Sequence, residues 1–259
     1  MKKEKTLTWV AIGDSFTYIN DHLEETGDRL KKGYLDYTKE LLPFKTNLIN
    51  LGINGSRTES WVNEPLAKGD FYTILLGTND WWNGSRAIGD YADFLGKGTE
   101  ITILGNLGII IRNIKKINNK AKIFVLNPVE RGTFVYIHDI NNRALDSTHK
   151  NVRGYYVKDV AKAIYENVKG ENIFPINLHD EVPFTSQNAM KFFRVKRDNK
   201  IIDLSYEEFH KDPFKDSLDI YPYPKEAMGY MCDGLHPNDE GYQIIASILS
   251  KYLIKEFVK

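Results

Sequence analysis

Ala11-Ile12-Gly13-Asp14-Ser15-Phe16-Thr17 ends the first apolar run of the chain, Leu7 to Ile12, with a glycine turn and two residues that favour the start of a helix. A short buried strand that turns tightly into a helix is the first half of a βαβ unit. Outward from this stretch the pattern repeats. Further β-branched or aromatic runs occupy Asn47 to Leu51, Phe71 to Leu76, Lys122 to Leu126 and Asn172 to Asn177, each the length of a buried strand. Between them helical spacing covers Tyr34 to Leu42, Ile103 to Ile117 and Val157 to Val168, and a last helix is predicted from about Asp239 to Phe257. In that helix Ile244, Ile245, Ile248, Leu249, Tyr252 and Leu253 share a face opposite Lys251 and Lys255, which predicts packing on the sheet.

Strands alternating with helices predict an α/β fold, a doubly wound parallel sheet of about five strands flanked by helices. Ligands of such sheets bind beyond the carboxyl ends of the strands, so the loops after Ile12, Leu51, Leu76 and Leu126 are expected to share one rim. Two segments break the alternation, Trp81 to Glu100 and His179 to Cys232, and both read as insertions bordering the site. With 259 residues and no internal repeat or linker-like run, a single domain is expected.

Equal acidic and basic counts give zero formal net charge, so no global field attracts nucleic acid or an anionic membrane. The lone Cys232 has no internal disulfide partner, and no His/Cys spacing resembles a zinc site; neither a metal nor a disulfide is expected. Met1-Lys2-Lys3-Glu4-Lys5 has a basic flavour, but the apolar stretch after it is too short for a signal-peptide core. No run reaches membrane-spanning length. The chain as given is expected to be soluble and cytoplasmic, or secreted or periplasmic if a signal segment has been removed.

Each rim loop carries residues with two readings. Ser15 either caps a helix, as Asp14 and Ser15 both favour, or presents a hydroxyl beside its own amide, which stabilises an oxyanion. In Asn50-Leu51-Gly52-Ile53-Asn54-Gly55-Ser56-Arg57-Thr58, Gly55 supplies either a positive φ or an exposed amide donor, and Thr58 a cap. In Leu76-Gly77-Thr78-Asn79-Asp80-Trp81-Trp82, Asn79 makes an Asx-turn or offers an NH₂ to developing negative charge. In Asp233-Gly234-Leu235-His236-Pro237-Asn238, the carboxylate three residues ahead of the histidine can fold back across the turn and fix its tautomer. His22, His138, His149, His179 and His210 have no comparable motif.

Together these blocks resemble the SGNH hydrolase superfamily, the GDSL esterases and lipases: a Gly-Asp-Ser block, a glycine block, a Gly-x-Asn-Asp block and an Asp-x-x-His block, in order from Gly13 to His236. The resemblance implies the flavodoxin-like three-layer fold of that superfamily, with Ser15 as nucleophile, His236 as general base and then acid, and Asp233 as its orienting partner. It also implies an oxyanion hole of the Ser15 and Gly55 amides and the Asn79 side chain, with no cofactor. The physical reading agrees, since a weak nucleophile needs an adjacent base and preorganised donors. Ser56 stands where many relatives carry an acid. No Gly-x-Ser-x-Gly elbow is present.

Asp14, Asn54, Trp81, Trp82 and Arg131 are candidates for substrate contact. The paired tryptophans either stack on a sugar ring or pack in the core. Arg131 either faces the cleft or forms a surface ion pair with Glu130 or another acid. Phe192, Phe193, Tyr221 and Tyr223 either line a subsite or anchor their own loop. The expected activity is hydrolysis of a small acyl ester, an acetyl group on a carbohydrate first, with a small molecule or glycan as substrate. The alternatives are a lipase or lysophospholipase, an acyltransferase using the same residues, and a silent carbohydrate-binding domain.

Overall fold

The computed structural model describes residues 6–98, 101–211 and 220–258. The apolar runs are strands β1 (Leu7–Gly13), β2 (Thr46–Asn50), β3 (Phe71–Leu75) and β4 (Lys122–Leu126); after a hairpin of β5 (Phe134–Tyr136) and β6 (Asp139–Ala144), the last of them is β7 (Ile173–Ile176). β1 to β4 and β7 form one parallel sheet in the order β2-β1-β3-β4-β7. Gly13 pairs with Leu75 and Leu75 with Leu126, so the ends of β1, β3 and β4 lie level and their loops open on one rim.

The helices are α1 (Ser15–Tyr18), α2 (Tyr34–Leu41), α3 (Thr78–Trp82), α4 (Tyr91–Phe94), α5 (Ile103–Ile117), α6 (Val157–Asn167), α7 (Leu178–Glu181), α8 (Tyr206–His210) and α9 (Asp239–Phe257). Side chains alternate across each strand and so sort into two cores. Trp9, Ala11, Phe71, Leu75, Phe124 and Leu126 face one core, which α2 and α9 cover with Leu35, Ile245, Ile248 and Leu249. Val10, Ile12, Tyr72, Ile74, Ile123 and Val125 face the other, covered by α5 and α6 through Leu107, Ile110, Ile114, Val160 and Ile164. Both faces being covered, the central strands read as continuous apolar runs. No helix among the described residues is long and apolar enough to cross a membrane.

The 179–232 segment adds an antiparallel hairpin of β8 (Phe193–Arg197) and β9 (Lys200–Leu204), followed by α8. Its aromatic residues anchor it. Phe193 stacks on Phe209 at 4.3 Å, and Tyr223 is buried with its hydroxyl donating to the Thr133 carbonyl at 3.0 Å. None of Phe192, Phe193, Tyr221 and Tyr223 lines the cleft, so the subsite reading is corrected: Phe193 and Tyr223 are buried against each other, at 6.1 Å between ring centres, and Phe192 and Tyr221 are half-buried away from the cleft. A further tie comes from His210, whose Nε2 donates to Asp146 at 2.7 Å while Nδ1 donates to the Tyr206 carbonyl at 2.8 Å. Two acceptors on one ring favour the imidazolium. The basic Met1–Lys5 segment and parts of the two segments expected to be insertions, residues 99–100 and 212–219, lie outside the described residues.

Candidate active site

Ser15 opens α1 directly after β1. Asp14 Oδ1 accepts the Phe16 amide at 3.1 Å, and the Asp14 carbonyl accepts the amides of Thr17 and Tyr18 at 3.0 and 2.9 Å. The Ser15 amide stands outside that set, one of the first-turn N–H groups that a helix cannot itself satisfy. The hydroxyl faces a cleft of about 290 Å³ at the rim.

His236 reaches the same point from a turn ahead of α9. One Asp233 oxygen accepts the amides of Leu235 and His236 at 2.9 and 2.8 Å, and the other accepts His236 Nδ1–H at 2.7 Å. Gly234 adopts φ +92°, and a Cβ there would lie 2.0 Å from the Thr133 carbonyl oxygen, so the turn is pressed against the backbone just ahead of β5. Phe16 and Phe134 flank the imidazole at 5.9 and 5.8 Å between ring centres. Held this way, Nε2 lies 2.8 Å from Ser15 Oγ. Because the carboxylate can only accept, Nδ1 carries the proton and the Nε2 lone pair faces the hydroxyl.

The electrostatics suit that tautomer. Burial alone pushes the Asp233 carboxyl up, but the His236 charge, the imidazole hydrogen bond and the two amides outweigh it and hold it below the usual carboxylate range. Burial pulls His236 down while Asp233 and, more weakly, Asp14 pull it up; the acids win. Asp14 itself is pushed up to about 7, mainly by burial, against the Phe16 amide and His236.

The second and third loops are locked together below the cleft. Gly55 sits at φ +71°, a left-handed conformation that glycine takes without strain, and the Ser56 hydroxyl next to it donates to the Gly13 carbonyl at 3.1 Å. One Asn79 N–H donates to the Ser56 carbonyl at 3.1 Å, which fixes the amide plane and leaves its other hydrogen for the cleft. Asp80, pushed up to about 6 by burial, accepts the Thr58 amide and hydroxyl and ties α3 to the glycine loop.

Ser15, Asn54, Gly55, Asn79, Trp82, Arg131, Asp233 and His236 all line this cleft. Asp14 and Trp81 do not. Asp14 is buried as the cap of α1, and Trp81 is enclosed with its indole N–H donating to the Tyr155 carbonyl at 3.0 Å, so the geometry speaks against both as substrate contacts. Arg131 is not on the surface; it is 2% exposed, under the tryptophans. The sequence reading missed part of the cleft's lining, Tyr136, Asn141, Asn142 and Arg143 of the β5–β6 hairpin together with Glu25 and Thr26.

A parallel α/β sheet with Ser15, His236 and Asp233 in one hydrogen-bonded file at its carboxyl edge is the arrangement of a serine hydrolase. The sequence pattern of the GDSL-like lipase/acylhydrolase family matches residues 11–244, and the chain belongs to that family. A possible lipase from Chitinophaga pinensis DSM 2588 is 39% identical in sequence, with a TM-score of 0.89 over 98% of this chain and 100% of its own. A protein from Lactobacillus plantarum, 16% identical, shares the fold at a TM-score of 0.58 over 98% of this chain and 100% of its own. The lipase/acylhydrolase from Enterococcus faecalis, 18% identical, does so at 0.51 over 97% of each chain. No curated protein matches the chain.

Proposed function

We propose that this hydrolase cleaves small-acyl esters of a polar alcohol, an O-acetylated carbohydrate first among them, through an acyl-enzyme on Ser15. The observation that carries the reading is the continuous file from Ser15 Oγ to His236 Nε2 at 2.8 Å and from Nδ1 to Asp233 at 2.7 Å. Ser15 Oγ attacks the ester carbonyl as its proton passes to Nε2. The charge on the carbonyl oxygen meets the amides of Ser15 and Gly55 and the free Asn79 N–H. Collapse breaks the ester bond, and Nε2–H hands its proton to the departing alkoxide. Water then attacks the acyl-enzyme with His236 as base, and the proton returns to Ser15 Oγ as the acid leaves.

Two features support a small acyl group and a polar alcohol. The cleft, at about 290 Å³, falls at the low end of small-molecule sites. Its walls bring side-chain amides from Asn54, Asn79, Asn83, Asn141 and Asn142, groups that both donate to and accept from sugar hydroxyls. The test is a p-nitrophenyl ester series from acetate to octanoate, with release of acetate from O-acetylated glycans alongside, each against Ser15→Ala. A burst on acetate that vanishes in the variant is expected. Preference for octanoate supports a lipase instead, and equal rates in the two proteins remove the enzymatic role of Ser15.

A further inference from the structure

Arg131 lies past β4 at the cleft, with its backbone pinned to Ser147: its amide donates to Ser147 Oγ at 2.8 Å, and its carbonyl accepts the Ser147 amide at 3.1 Å. The guanidinium rests on the rings of Trp81 and Trp82, at 5.2 and 4.9 Å from their centres. Stacking of this kind holds the plane of the cation but takes none of its N–H groups. Nε and Nη2 are both buried without an acceptor, although the residue lines the cleft.

The acids whose charges act on Arg131, Asp146 and Asp233, have other commitments. Asp146 accepts from His210 and Thr148, and Asp233 from His236 and two backbone amides. What stays unmet is one particular edge of the guanidinium, the Nε–Nη2 fork. Elsewhere in this molecule that same edge of Arg194 grips a carboxylate, with Nε to Asp203 Oδ1 at 2.7 Å and Nη2 to Oδ2 at 2.8 Å. A buried donor pair without an acceptor is costly, and a ligand that supplies one recovers that cost on binding.

We propose that Arg131 is a specificity determinant that takes a carboxylate of the substrate on its Nε–Nη2 fork, so that the preferred esters are acidic ones. The fork is shut against solvent, so engaging a carboxylate in the cleft requires the guanidinium to shift over the two indole faces. Burial lowers the group only to about 10, so it stays cationic throughout the neutral range. The placement of this carboxylate on an ester rests on the hydrolase reading above; the binding itself does not.

The test therefore measures binding and turnover separately, with the carboxylate on either half of the ester. For the alcohol half, 4-acetamidobenzoate is compared with its methyl ester by titration calorimetry; for the acyl half, succinanilic acid is compared with its methyl ester. The corresponding esters, 4-acetoxybenzoate and phenyl hydrogen succinate with their methyl-capped forms, give kcat/KM ratios. In at least one arm the wild-type protein is expected to favour the carboxylate roughly ten- to a hundredfold, the range of a charge-assisted hydrogen-bond pair. Arg131→Met should bring that ratio to near one. Arg131→Lys, which keeps the charge but has no fork, should lose most of it and serves if the methionine variant does not fold. Equal binding of acid and methyl ester in both arms overturns the proposal, as does a preference that survives in the folded variants. Absence of turnover with a binding preference intact counts against the hydrolase reading alone.

Discussion

Replacing Asp233 with asparagine should disable the site without disturbing its shape, and the geometry explains how. The oxygen that accepts the Leu235 and His236 amides at 2.9 and 2.8 Å must remain an oxygen, so an asparagine there turns its NH₂ toward His236 Nδ1. Nδ1 then accepts instead of donating. The ring proton moves to Nε2, which faces Ser15 Oγ at 2.8 Å and can no longer take the hydroxyl proton. Flipping the amide back would leave two buried backbone donors facing an NH₂, at about 1–3 kcal/mol each. The charge that steadies the imidazolium is also gone, worth about 1.5–3 kcal/mol more. Together these span about 3.5–9 kcal/mol, and the middle, about 6 kcal/mol, corresponds to a loss of roughly 10⁴- to 10⁵-fold in kcat/KM. The assay is p-nitrophenyl acetate hydrolysis by Asp233→Asn, with a thermal melt to show that the fold is kept. A folded variant within about tenfold of wild type would refute the tautomer argument.

Since only neutral His236 accepts the proton, activity should fall as pH drops through its folded value, which burial lowers but Asp233, above all, raises from the ordinary histidine value. Because Asp14 contributes to that elevation, Asp14→Asn should shift the acid limb of the kcat/KM profile to lower pH; an unmoved limb, or one displaced upward, would contradict the coupling. His210 is likewise raised: burial opposes the proton, but the Asp146 and Tyr206 acceptors prevail. Its contribution to stability is full below the unfolded value of about 6.5 and is lost as pH rises through the folded one, so denaturant melts should weaken over that window. His210→Ala should cost about 1–3 kcal/mol and flatten that dependence, whereas an unchanged pH slope in the variant would rule the pair out as its source. Gly234→Ala should cost roughly 1–3 kcal/mol in backbone strain and lower kcat by shifting the turn; a melt and rate equal to wild type would show that Thr133 does not hold it.

The sheet and the main helices were readable because central parallel strands are covered on both faces and appear as unbroken apolar runs; β4 and α5 begin and end at the residues that the pattern marks. The site blocks were readable because each is a local turn whose spacing fixes its geometry. Features set by distant contacts were not. The β5–β6 hairpin has a strand of only three residues facing the mostly polar Asp139–Ala144, and Val135 is held by a bond from its amide to the Asp233 carbonyl, ninety-eight positions along the chain. His210 meets Asp146 across sixty-four positions. For Arg131 the neighbouring Glu130 pointed to a surface pair, while the tryptophans that bury it lie on α3. Neighbouring residues on a helix point about 100° apart, so Trp81 and Trp82 divide the two roles, one enclosed and one in the cleft.

The central claim is that three distant loops make Ser15 a nucleophile, and an active-site phosphonylating reagent tests it most directly. An aryl alkylphosphonate should lose its phenol and leave one phosphonyl group on the peptide containing Ser15, at a rate that falls as His236 is protonated and collapses in His236→Ala. Modification at another residue, or equal labelling with and without the imidazole, would contradict the account.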